Sequence, residues 1–316
     1  MEYVVIGAAV RHETTTPLGE TYGGWTGTVE STTSGLTCAM GPEDLVHLVA
    51  RVGADDMGEY RAHILSRYGE RCVLDGLIAD PMGTNVHIAW ETTDGWRQNR
   101  AARQQTPILM DELPLEAIRR ADAVMFASGD VDNYDDALIG QVRGLNRHAL
   151  IYVDIHCKVR RMDETGLWHP CVWEGWPAHL ASADVVQTST QELWALLGVD
   201  DFDRGMVEHA VDKLLDAGIR QVCLTMGELG CLVADGDGTF TRVPTMHVPT
   251  VLDLSGAGDA FAGAYIVART HGHSAVEAAR RGCVLGALAV SKVGLLTPDD
   301  VPPGTIERLL DEDEIW

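Results

Sequence analysis

The sequence predicts an α/β fold, with a mostly parallel central sheet covered by helices on both faces and a small β-strand lid over one end. Three observations predict it. From Ala121 onward, apolar β-branched runs alternate with segments of helical spacing, the pattern of a parallel sheet buried on both sides. Two earlier stretches, about 11–34 and 84–103, break that alternation and are assigned to the lid. No internal repeat, low-complexity tract or Pro-rich linker divides the chain, so 1–316 reads as one domain carrying lid segments.

In chain order, 3–10 is apolar and β-branched and reads as a buried first strand. Residues 11–34 are rich in Thr and Gly, contain Trp25 and few helix formers, and read as short strands and turns. The run 45–52 is a second buried strand. Spacing over 55–68 is helical, with Met57, Tyr60, Ile64 and Leu65 as the apolar stripe. Residues 84–90 alternate as a strand, Thr93-Asp94-Gly95 is a turn, and 96–103 returns. Helices are predicted over 115–120, 135–146, 192–197 and 206–217, and strands over 123–128, 149–155, 221–225 and 230–234. A β-type run over 241–251 precedes helices at 261–270 and 274–291, and 305–310 is a short terminal helix. In such a sheet a ligand sits at the carboxyl ends of the strands.

Composition narrows the partners. The chain is 46% hydrophobic and 22% charged, an ordinary globular balance. Its formal net charge is −23, which argues against nucleic acid or an anionic membrane. Any phosphate site must therefore be built locally, from backbone dipoles, metal and a few cations. Seven Cys with no C-x-x-C indicate neither a disulfide framework nor a zinc site. Residues 1–7 enter a strand directly rather than forming a signal peptide, and no apolar run reaches membrane-spanning length, so a cytoplasmic protein is expected.

The chemistry concentrates in Leu252-Asp253-Leu254-Ser255-Gly256-Ala257-Gly258-Asp259-Ala260-Phe261. Gly256 and Gly258 let backbone approach a ligand closely. The helix that follows begins with amides lacking partners inside the helix, and its dipole favours an anion there. Asp259 then stands at the mouth of an anion pocket. A carboxylate in that place repels the anion unless it takes a proton from a hydroxyl attacking it, which is the signature of phosphoryl transfer. A Gly-rich turn with an Asp cap is the plainer alternative. The complete D-x-x-G-A-G-D-A-F string favours the functional one. At Thr225, Gly227 and Gly230, Gly spacing permits close approach to a nucleotide, and a hairpin turn is the alternative.

The signature resembles that of the ribokinase-like (PfkB) carbohydrate kinase family, D-T-x-G-A-G-D, with Leu254 where Thr or Pro is usual. Residues 49–58 resemble the family's V-G-x-D-x-x-G segment, 225–230 its T-x-G-x-x-G nucleotide segment, and 282–294 its small-residue adenine-side helix and turn. The resemblance implies a ribokinase-like three-layer α/β/α sandwich, with Asp259 as catalytic base and the backbone of Gly256, Ala257 and Gly258 as anion hole. It also implies ATP held near Thr225, Gly227, Gly230 and Ser255, with Cys283 and Ala287 on the adenine side. Glu192 takes the place of Glu in the family's N-x-x-E motif, helping to hold Mg²⁺, with Ser189 at the Asn position. A capped helix start is the compatible alternative. Asp253 and carbonyls near 290–294 correspond to a loop for a monovalent cation such as K⁺. A homodimer through the lid is likewise implied.

At the substrate end the match weakens. The family's early Asp falls near His12, beside Arg11 and Glu13. Gly23-Gly24 comes too early for its Gly-Gly-x-x-x-Asn segment, and the expected place reads 29–35. His12, Glu13, Ser34, Gly35 and Asp154 are the substrate candidates, with Glu30 and Thr33 as further contacts and Trp25, Trp90 and Trp96 as covers. Asp154-Ile155-His156-Cys157-Lys158 replaces D-x-N-x-R. There His156 could contact phosphate or cap a loop, the cap being preferred, and Lys158, Arg160 and Arg161 read as a solvated cluster, one of them compensating ATP charge. His271 and His273 read as helix-end residues rather than metal ligands. The expectation is an ATP-dependent kinase acting on a hydroxyl of a small sugar or sugar-like substrate. The alternatives are a nucleoside kinase of the same family, a nucleotide-binding regulatory homologue, and a kinase of a vitamin-like aromatic alcohol, whose relatives usually lack the lid.

Overall fold

The computed structural model describes residues 1–16, 18–91, 97–129, 133–199 and 206–312. In order, the described elements are β1 (Glu2–Gly7), β2 (Val10–Thr15), β3 (Thr21–Thr26), α1 (Thr28–Ala39), β4 (Leu45–Gly53), α2 (Met57–Tyr68), β5 (Cys72–Val73), β6 (Leu77–Asp80), β7 (Asn85–Glu91) and β8 (Arg97–Ala101). Then come α3 (Leu115–Arg120), β9 (Ala123–Ala127), α4 (Leu138–Leu145), β10 (Leu150–Asp154), β11 (Arg160–Met162), β12 (Trp168–Pro170), α5 (Trp176–Leu180), β13 (Val185–Ser189), α6 (Thr190–Leu197) and α7 (Val207–Asp216). The chain closes with β14 (Gln221–Thr225), β15 (Cys231–Asp235), β16 (Phe240–Val243), α8 (Ala257–Thr270), α9 (Ala275–Val290) and α10 (Thr305–Asp311).

The central sheet runs β16-β15-β14-β13-β10-β9-β1-β4-β5, with β6 also on β4. It is parallel from β14 to β5, and β15 and β16 join antiparallel at one edge. Side-chain alternation along β1 shows why both faces must be covered. Tyr3 and Val5 enter a core with Leu36, Tyr60, Ile64, Phe261 and Ala278. Val4 and Ile6 enter another with Ile118, Leu138, Leu193 and Val211. The predicted mostly parallel α/β sheet and separate lid are therefore present.

The lid is a second sheet of order β3-β2-β7-β8. Two of the groups that tie it to the body lie on β3. The Trp25 indole N–H donates to Glu59 Oε1 (2.9 Å), and the ring packs 4.8 Å from Tyr60. The Tyr22 hydroxyl donates to Asp253 Oδ2 (2.6 Å).

Several predicted bounds are corrected. The first strand stops at Gly7, and the lid begins at Val10. Lid strands end at Thr26, and 28–34 is the start of α1, not strand and turn. Thr and Ser are poor helix formers, but here Thr33 Oγ1 donates to Val29 O (2.6 Å) and Thr37 Oγ1 to Thr33 O (2.9 Å). Their small side chains also let α1 lie close against α8: a Cβ on Gly35 would stand 2.7 Å from Asp259 O and 2.8 Å from Ala260 Cα. Tertiary contact decides the local structure. Of the run 241–251, only 241–243 is strand. In α2, Tyr60 and Ile64 are buried as expected, but Tyr68 joins them while Leu65 is exposed. The β11–β12 hairpin and α5 had no counterpart in the sequence reading. The turn 93–95 lies outside the described residues. Among the described residues no helix is long and apolar enough to cross a membrane.

Candidate active site

A cavity of about 410 Å³ opens at the carboxyl ends of β10, β13 and β14, between the lid and the start of α8. Ser255, Gly256, Gly258 and Asp259 line it. Gly256 caps α8 in the left-handed region (φ 76°), and a Cβ there would collide with Leu295. The first helical bond runs from Ala260 N to Gly256 O (2.8 Å), so the amides of Ala257 and Gly258 precede the helical ladder. Asp259, the third residue of the helix, accepts a hydrogen bond from Thr32 Oγ1 (3.0 Å), which orients its carboxylate. From β13, Gln187 donates to Gly258 O (3.0 Å) and is itself held by the Tyr152 hydroxyl.

Asp253 is fully buried and organises the loop before the helix. Its Oδ1 accepts from Ser255 N (2.8 Å), and its Oδ2 accepts from Gly294 N (2.8 Å) as well as from Tyr22. The predicted neighbours of the cation loop are thus together, but protein donors already engage both carboxylate oxygens.

Across the cavity lie Asp154, His156, Arg160 and Glu192. Ser189 and Glu192 form a reciprocal capping box at the start of α6, with Ser189 N donating to Glu192 Oε2 (2.7 Å). His156 Nδ1 is 3.2 Å and Arg160 Nη2 3.9 Å from Glu192 Oε1. His156 has φ 30°, a left-handed conformation sparsely used by non-glycine residues. Sequence reasoning took it for a loop cap. Burial resists ionisation of Glu192, but His156 and Arg160 outweigh it and hold the carboxyl below its ordinary range. Burial works against the His156 imidazolium too, yet Cys157 and Glu192 more than compensate and raise its pKa.

Asp154 is shifted the other way. Burial, then the neighbouring Glu192 charge, push its pKa well above the ordinary 3.8. The native chain therefore holds this proton over a pH range where the unfolded chain has released it, so the native state is progressively disfavoured as pH rises from about 4. Asp154→Asn removes that cost. The variant is expected to melt above the wild type at pH 8, with the gap narrowing toward pH 4. Thermal scans at both pH values check this, and a gap independent of pH would refute it.

The remaining predicted residues divide. Thr225 lines the cavity, its hydroxyl 3.4 Å from Thr188 O. Gly227 (φ 58°) and Gly230 (φ 81°) shape the turn from β14 to β15 and do not line the cavity. Cys283 and Ala287 are buried in α9 and lie outside it; burial pushes the Cys283 thiol up to about 12. His12 lines the cavity from β2, whereas Glu13, on the alternate face of that strand, is exposed. Ser34 donates to Leu296 O (2.8 Å), and Gly35 sits in the α1–α8 contact, so neither is placed for substrate. Thr33 is spent inside α1, while Glu30 does line the cavity. Trp25 lines it and Trp90 does not; Trp96 lies outside the described residues. Lys158 is not solvated: it is fully buried, 2.8 Å from Asp136 Oδ1 and over the Tyr134 ring. His271 is a helix-end residue, its Nδ1 2.8 Å from Val267 O. Among the described residues no three of His, Cys, Asp or Glu converge to hold a metal.

Sequence reasoning missed Gln187, Thr32, Tyr22, His63 and Arg67. Gln187 stands near the carboxyl end of β13, a strand the sequence reading did not assign.

A doubly covered parallel sheet with a glycine-cradled helix start at its carboxyl edge, closed by a β lid, defines the ribokinase-like class. The chain belongs within it to the pfkB family carbohydrate kinases, whose family model matches residues 44–301. It is similar to 2-dehydro-3-deoxygluconokinase of Escherichia coli (strain K12), 30% identical over 115 residues, covering 34% of this chain and 37% of that protein. It is similar also to deoxyribokinase of Salmonella typhimurium, 35% identical over 132 residues, covering 40% of each. These matches span well under half the length of the curated relatives. Among solved structures it resembles Arabidopsis thaliana ribokinase complexed with ribose and ATP (TM-score 0.74, 19% identity, 98% of each chain covered). It also resembles a pyrophosphate-dependent kinase of the ribokinase family (TM-score 0.76, 15% identity, 95% of this chain and 98% of that one).

Proposed function

We propose that the protein transfers the terminal phosphoryl group of ATP to a hydroxyl of a small sugar or sugar-like acceptor. One observation carries this reading: Asp259 lies on the cavity wall beside the glycine-cradled amides that open α8. In the proposed step the acceptor hydroxyl lies between Asp259 and the terminal phosphorus. Asp259 aligns it and takes its proton, and the amides of Ala257 and Gly258 stabilise the charge on the phosphoryl oxygens. Thr32 keeps the carboxylate turned toward the acceptor, and Gln187 fixes the Gly258 peptide. The lid excludes water, which would otherwise consume the donor by hydrolysis.

Mg²⁺ fits this site as an ion held chiefly by phosphate oxygens and water, with Glu192 as the adjacent protein carboxylate. When bound it supplies charge compensation to the phosphates. Both Glu192 oxygens accept or face protein donors, so its part is contact through water. The donors on Asp253 leave its charge engaged, and no step is assigned to a monovalent cation. A cytoplasmic location and a homodimer through the lid, whose edge strands are β3 and β8, complete the reading.

The four-stranded lid disfavours the aromatic-alcohol alternative, and the oriented Asp259 disfavours a regulatory homologue. The test is a transfer assay over neutral sugars, polyols, acidic sugars and nucleosides, with ATP and with pyrophosphate as donors. Transfer from ATP to at least one sugar or polyol is expected. Transfer from pyrophosphate alone would correct the donor. Phosphorylation confined to nucleosides would overturn the acceptor class.

A further inference from the structure

Glu30 has no part in the steps above, yet it lines the cavity near the start of α1 and is 1% exposed. Three groups of α2 gather on one of its oxygens. Oε1 lies 2.8 Å from His63 Nε2, accepts from the Tyr68 hydroxyl (3.2 Å), and is 3.6 Å from Arg67 Nε. Its other oxygen, Oε2, is buried and has no hydrogen-bond partner among the described residues. A buried carboxylate oxygen without a donor is unfavourable. Because α2 fixes Oε1, rotating the side chain to satisfy Oε2 would strip the first oxygen of its donors.

The surroundings say what kind of donor is missing. Glu30 lines the same cavity as Asp259, and Thr32, two residues on in α1, is bonded to Asp259, so this carboxylate stands on the acceptor side of the proposed transfer. Arg67 also donates to Leu295 O (3.1 Å), the residue whose side chain closes on Gly256. The Arg67–Glu30 pair leaves no cationic surplus here to draw an acidic acceptor. The lid contributes His12, His87 and Asn99 to the cavity, which are polar groups suited to hydroxyls.

Resting on the kinase reading, we propose that Glu30 determines acceptor specificity: its Oε2 accepts a hydrogen bond from a hydroxyl of a neutral polyol other than the hydroxyl that is phosphorylated. His63, Arg67 and Tyr68 are positioning residues that aim it. The class of acceptor is therefore an uncharged sugar or polyol with a second hydroxyl close to the reacting one.

The experiment compares the full-length wild type with Glu30→Gln, using the best neutral acceptor from the transfer panel and its mono-deoxy analogues. In the variant the acceptor KM should rise about 10-fold to 100-fold, the worth of one hydrogen bond to a charged group. Its kcat and donor KM should stay within about threefold. One mono-deoxy analogue should be poor with the wild type and suffer no further loss in the variant. If folded Glu30→Gln keeps the wild-type acceptor KM and the same discrimination among deoxy analogues, the proposal is overturned while the kinase reading stands. A wild-type preference for an acidic sugar over every neutral one overturns it as well. Absence of transfer to any acceptor by the wild type defeats the kinase reading and this one with it. Should Glu30→Gln fail to fold, Glu30→Asp keeps the charge and withdraws Oε2 by one methylene, and the same kinetic pattern decides.

Discussion

Asp259→Asn should lower turnover by about 10²-fold to 10⁴-fold, the range expected when a general base is lost, while the donor still binds. Asn keeps the shape of the side chain and its oxygen can still accept from Thr32, so the cradle at the start of α8 is expected to survive. On the proposed mechanism, what disappears is the capacity to receive a proton from the acceptor hydroxyl as the phosphorus–oxygen bond forms. Loss of a negative charge in the first helical turn costs only about 0.3–1 kcal/mol, too little to unfold a domain. The measurements are steady-state kcat with a saturating acceptor and, separately, donor affinity by calorimetry. A kcat within tenfold of the wild type would remove Asp259 from the role of base. A parallel loss of donor affinity would mean that its charge organises the cradle instead.

Gly263→Leu is expected to be the most damaging substitution for stability. Gly263 faces α1 across the α1–α8 contact, where a Cβ would fall inside contact distance of Gly35 C and Leu36 N. Those are backbone atoms and cannot rotate away, so the helices must separate. Overpacking of this kind costs about 3 kcal/mol or more, a fall in Tm of roughly 6–12 °C for a large domain. The Thr32–Asp259 hydrogen bond spans the same pair of helices, so residual activity should fall as well. Gly58→Ala is the control. It is an exposed position of α2 where, among the described residues, no atom lies within 4 Å of an added Cβ, and should be neutral or stabilising by about 0.4–1 kcal/mol. Equal melting of Gly263→Leu and the wild type would show that the contact tolerates a side chain.

The parts of this molecule that were legible in its sequence are those governed by local pattern. Alternation of apolar runs with helical spacing located β9, α4, β10, β14 and β15, because a strand buried on both faces must be apolar throughout, while β13, the parallel strand between β10 and β14, was missed. The glycines before Asp259 located the start of α8, because close backbone approach needs them. Helix α1 was not legible, since Thr32, Thr33, Ser34 and Thr37 carry weak helical preference. They are helical because their hydroxyls bond back to the preceding turn or across to another element, and because α8 requires small neighbours. His156, Gln187 and Arg67 escaped for a different reason. Each acquires its place from a partner distant in sequence, Glu192, Gly258 and Leu295 respectively, and no spacing rule encodes such a meeting. Cys283 and Ala287 show the converse, since a segment can resemble a binding helix while these two positions turn into the core.

One phenol joins two elements 231 positions apart, the Tyr22 hydroxyl on the Asp253 carboxylate. The same carboxylate also grips Ser255 N and Gly294 N. Lifting β3 away from the body therefore breaks a tether of the very loop that leads into α8. An open cover and a loop braced by all three of these donors are mutually exclusive in this architecture, so seating the lid completes the bracing of the strand-to-helix loop beneath it.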